Sequence, residues 1–81
     1  MPQHIGIVAR SAEGAALCYR TICTEGAALL GPHAHPEVSL NSLSLADYMD
    51  CSYRGDWGGV GEMMLASARK LASIGADILI C

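Results

Sequence analysis

The sequence predicts an α/β fold: an open, incomplete parallel sheet of about three strands with helices on both faces. Three observations carry that prediction. Short, β-branched apolar runs stand near both ends of the chain, His4 to Ala9 and Ala76 to Cys81. Between them, apolar residues recur at helical spacing in segments punctuated by glycine and proline. The resulting order of strand, helix, strand, helices, strand is that of parallel strands joined by right-handed crossovers, which need helices on both faces.

The run His4 to Ala9 suits an interior strand. From Glu13 onward Ala15, Cys18, Tyr19, Ile22, Cys23, Leu29 and Leu30 follow helical spacing, with Glu13 in the first turn where the macrodipole favours an anion. Gly31-Pro32 ends that helix. Gly14 and Gly26 oppose it, each costing about 1 kcal/mol relative to alanine. His33 and His35 flank Ala34 between two prolines and read as a solvated loop rather than a ligand pair.

Glu37 to Asn41 alternates with a period of two, as a half-buried strand does. Ser44 stands three residues before Asp47 in the manner of a capping box, ahead of Leu45, Tyr48 and Met49 on one helical face that runs to about Tyr53. Arg54-Gly55 breaks this helix. Asp56 is the expected N-cap of a third helix, with Val60, Met63, Met64, Leu71 and Ile74 as its apolar face, Trp57 as a packing anchor and Gly75 as its C-cap. The last strand, Ala76 to Cys81, has no helix after it to cover its flank. Residues 1–81 are therefore expected to be the opening part of a larger domain.

Composition narrows the function classes. The 81 residues hold 5 basic and 8 acidic side chains, a net charge of -3 and no Lys/Arg cluster, so nucleic acid is not an expected partner. No stretch reaches the roughly 18 unbroken apolar residues of a membrane span, and no basic leader precedes the first apolar run, so the expectation is a cytoplasmic protein without membrane contact. In that compartment Cys18, Cys23, Cys51 and Cys81 are expected to stay reduced. Cys18 and Cys23 lie about 140° apart around a helix and do not converge on one ion, so no metal is expected.

In an open parallel sheet, ligands bind beyond the carboxyl ends of the strands. That rule selects Arg10, Ser11 and the turn into Glu13, then Asn41 and Ser42, then Cys81. Arg10 suits a substrate carboxylate, Ser11 and the first-turn amides its oxygens, and Asn41 with Ser42 an amino or carboxyl group. The plainer reading of the same residues is helix caps and a solvated arginine, and of Cys81 a buried filler instead of an activated thiol.

Several segments in order resemble one family: Ile5-Gly6-Ile7-Val8, Tyr19-Arg20-Thr21-Ile22, His35-Pro36-Glu37-Val38, Gly55-Asp56-Trp57, Lys70-Leu71-Ala72 and Gly75-Ala76-Asp77. Together they resemble the start of the aspartate/glutamate/hydantoin racemase superfamily, aspartate-racemase-like proteins in particular. The resemblance implies cofactor-independent inversion of an amino acid by two-residue Cα proton transfer, in an enzyme of two similar α/β halves. This chain would hold part of the first half and be inactive alone. Of the family's Gly-Pro-Glu step only Glu13 is retained, and an arginine common in aspartate-specific members falls at Tyr48 or its neighbours. The family's proton-transferring cysteine falls two places beyond Cys81, or on Cys81 itself if the alignment carries a gap. The competing classes are a non-catalytic, flavodoxin-like binding module and a truncated frame that self-associates through exposed apolar faces.

Overall fold

A computed structural model describes residues 3–81 and contains six elements: β1 (His4–Ala9), α1 (Ala12–Leu30), β2 (Glu37–Ser42), α2 (Leu45–Tyr53), α3 (Trp57–Ser73) and β3 (Ile78–Ile80). The strands form one parallel sheet in the order β2-β1-β3. Along β1, Ile5, Ile7 and Ala9 alternate with Gly6 and Val8. Ile7 and Ala9 pack against Ala15, with Cys18, Ile22 and Val38 around them, which places α1 on that face. Gly6 faces Leu71 and the turn after α3, which places α3 on the other. The first crossover runs from β1 to β2 and the second from β2 past β1 to β3, in the opposite lateral direction, and right-handed connections of opposite direction put their helices on opposite faces.

The helices begin and end where local chemistry dictates. Ser11 caps α1, its hydroxyl oxygen accepting from the Gly14 amide at 3.2 Å, and Asp56 caps α3 by accepting from the Gly59 amide at 2.9 Å. Gly55 and Gly75 take positive φ values of 71° and 95° after α2 and α3, a backbone region that disfavours side chains. Gly26 is retained in α1 for a tertiary reason. A Cβ there would lie 2.8 Å from His35 Cβ and 2.9 Å from the Ala34 carbonyl oxygen, so the loop into β2 crosses the helix at that point.

Several expectations need correction. Leu29 is 83% exposed, and Leu30 and Tyr19 are also exposed. A 19-residue helix runs about 28 Å whereas a six-residue strand runs about 20 Å, so the last turns of α1 overshoot the sheet. Ser44 occupies the N-cap of α2, but its side chain makes no capping bond and only its carbonyl accepts, from the Asp47 amide at 3.1 Å. Of the face Leu45, Tyr48 and Met49, only Tyr48 is buried. Trp57 is 67% exposed and anchors nothing, and Ile74 is exposed at the end of α3. The packing between α2 and α3 is made by Tyr48, Cys51 and Val60, with Met63 and Met64 alongside as the spacing predicts. The final strand is confined to Ile78–Ile80, Ala76 and Asp77 belonging to the turn before it.

The Cα radius of gyration is 14.2 Å, against about 12 Å for a compact chain of this length, and the extents of 46 × 24 × 14 Å describe a slab. At its centre β1 is closely covered. A Cβ on Gly6 would stand 3.0 Å from Ala76 Cβ and 3.1 Å from Leu71 Cβ, both held by backbone. Gly6→Ala is therefore expected to destabilise the fold by about 1–3 kcal/mol, read as a lowered urea midpoint.

Candidate functional site

The strand order places a crevice before any side chain is considered. The chain leaves the carboxyl end of β1 through α1 towards β2, away from β3, so the carboxyl ends of β1 and β3 border an open space. A cleft of about 160 Å³ lies there. Ile7, Val8 and Ala9 supply its apolar floor, Arg10 and Ser11 the rim after β1, Gly14, Ala15 and Cys18 the α1 wall, and Cys81 the side after β3.

Ser11 is fixed in extended geometry, at φ -122° and ψ 149°, by its role at the start of α1. Its oxygen accepts from Gly14, and its carbonyl accepts from the Ala15 amide at 3.1 Å, which leaves the hydroxyl proton available to a ligand. Arg10 is exposed and makes no ion pair among the described residues. Its guanidinium carbon lies 6.0 Å from the ring centroid of Tyr48. Cys81 is exposed and Cys18 half-buried, and both thiols are free.

The other sequence-selected residues stand outside this cleft. Glu13 is exposed in the first turn of α1. Asn41 points to α3, where its side-chain amide donates to Ser67 Oγ at 2.6 Å and the Ser67 hydroxyl donates to the Asn41 carbonyl at 3.3 Å. Ser67 is fully buried, so this pair fastens β2 to α3. Ser42 is exposed, its hydroxyl donating to the Leu43 carbonyl at 3.2 Å. The structure thus brings Arg10, Ser11 and Cys81 together and places Glu13, Asn41 and Ser42 elsewhere.

Two residues of the site escape a reading by sequence position alone. Cys18 carries a legible signal, because Ser11, Gly14, Ala15 and Cys18 follow the three, four and seven spacing of one helical face from the cap. Tyr48 carries none, since its approach to Arg10 depends on how α2 lies after β2. The residue is 2% exposed and its buried hydroxyl has no hydrogen-bond partner among the described residues, an arrangement that costs about 1–3 kcal/mol.

Chemically, the cleft offers a cation, a hydroxyl donor, the amide end of a helix and a thiol over an apolar floor. A small carboxylate is the ligand class that such a set accommodates. No protein-family model and no curated protein matches the chain.

The Asn41–Ser67 pair can be tested by removing one partner. Ser67→Ala leaves the half-buried Asn41 amide without its acceptor and should lower stability by about 1 kcal/mol in chemical denaturation. The cleft lining should be unaffected, because neither residue reaches it.

Proposed function

We propose that the chain is the N-terminal part of a cofactor-independent amino-acid racemase of the aspartate/glutamate type, its cleft holding the substrate carboxylate. The supporting observation is that Arg10, Ser11 and Cys81 line one cleft at the reversal point of the strand order. Arg10 and Ser11 bind the α-carboxylate, and pairing it with a guanidinium eases the build-up of negative charge when the Cα proton leaves. Cys81, as thiolate, accepts that proton, forming an S–H bond as the C–H bond breaks and leaving the electron pair on the substrate. Inversion then requires a second acid on the opposite face of Cα. In the two-half enzyme that the resemblance implies, the other half supplies it, so this chain alone binds without inverting.

Titrating the isotope-labelled chain with L-aspartate tests both halves of the reading. Amide shifts confined to Arg10, Ser11 and their neighbours are expected, with at least roughly tenfold weaker binding in Arg10→Ala. Chiral chromatography after prolonged incubation should show no D-aspartate. An undisturbed cleft at saturating ligand overturns the carboxylate site, and accumulating D-aspartate overturns the inactivity of the chain alone.

A second reading, a truncated frame that self-associates, draws on the β3 side of the sheet. Ile78 and Leu79 are 43% and 42% exposed there, beside an unpaired strand edge. Sedimentation across a range of concentrations should reveal association that Leu79→Lys reduces. A monomer at every concentration removes this reading.

A further inference from the structure

Among the cleft residues, Arg10 is the one whose placement has the least backbone support, since it follows β1 and precedes the capping serine on an exposed turn. Its guanidinium is long, flexible and unpaired among the described residues, yet it stands over the face of a ring that does not move freely. Tyr48 is among the largest fully buried side chains, seated with Cys51 and Val60 between α2 and α3. The separation of 6.0 Å lies at the outer limit for attraction between a cation and an aromatic face. The buried hydroxyl adds a second clue. Among the described residues it has no hydrogen-bond partner, so no such bond would be lost with a plain phenyl ring.

We propose that Tyr48 is a positioning residue for ligand binding: its buried ring restrains the Arg10 side chain at the rim of the cleft between β1 and β3. This rests on the carboxylate-site reading of the cleft. The ring narrows the conformations open to Arg10 before ligand arrives, so less side-chain freedom is lost on binding. Because the aromatic face does this, the phenol oxygen is dispensable.

Two measurements on the full 81-residue chain separate this proposal from the reading beneath it. The first needs no ligand. The Arg10 Nε–H proton should show an upfield ring-current shift in the wild type and in Tyr48→Phe, and lose it in Tyr48→Leu. That shift reports the contact itself, and its absence in the wild type overturns the proposal whatever the cleft binds. The second is succinate affinity by isothermal titration. Tyr48→Phe should match the wild type, while Tyr48→Leu should bind roughly two- to fivefold more weakly. Weakening by Tyr48→Phe would show that the hydroxyl, not the ring, serves the ligand, and overturns the proposal as stated. If the wild type shows the ring-current shift but binds no succinate, the carboxylate reading and the ligand role built on it fail together, and the contact is purely structural. Should Tyr48→Leu fail to fold, the wild-type spectrum and the Tyr48→Phe titration still decide.

Discussion

The central strand must satisfy four neighbours at once, and most of the molecule follows from how it does so. β1 pairs in parallel with β2 on one edge and β3 on the other, and carries α1 and α3 on its two faces. Parallel pairing forbids tight hairpins, so each partner strand returns through a helical crossover. The crossover from β1 runs towards β2, away from β3, and leaves a gap between the carboxyl ends of β1 and β3. The cleft is thus a by-product of strand order, and Arg10 and Ser11 acquire their place because they are the first residues past the central strand.

The two ends of the sheet are built differently. At the amino end His4 is buried, and its imidazole Nε2 lies 2.7 Å from Ser39 Oγ on β2. Its amide donates to Asp77 Oδ2 at 3.0 Å, and its carbonyl accepts from the Asp77 amide at 2.7 Å. One residue therefore ties β1 to its neighbours on both sides. At the carboxyl end no comparable side-chain bond links β1 to β3 among the described residues, and the connection from β1 turns away into α1. A fastened end and an open end suit a scaffold that binds at the open one, since positional precision there is inherited from the strands beneath. The Ser67–Asn41 pair serves the same purpose on the α3 face by fixing β2 against its helix.

Stability is less evenly distributed. β1 is covered, whereas both flanking strands keep a free edge and Ile78 and Leu79 of β3 remain partly in water. The slab-like extents express the same fact, with helices that reach past the sheet and apolar side chains there that find nothing to cover them. The centre of the molecule is buried, with Ile7, Val8 and Ala9 nearly inaccessible, while its β3 flank is partly exposed.

Local chemistry made much of this legible in advance. Caps at Ser11 and Asp56, glycine stops at Gly55 and Gly75, and the alternation of β1 depend on a few adjacent residues, so the sequence by itself determined the elements, their order and the parallel α/β class. It also pointed to the stretch after β1 as a place for ligands, because that rule depends only on strand direction. What it could not determine was which apolar residues of each helix meet the sheet. Leu29, Trp57 and Ile74 have the hydrophobicity of core residues but lie beyond or beside the surface they would cover. The fate of polar side chains was equally hidden: Asn41 is spoken for by Ser67, 26 positions away, and Tyr48 stands beneath Arg10. Those outcomes were decided only by tertiary structure, because they depend on the lengths of helices relative to strands and on distances between elements far apart in the chain, which periodicity does not encode.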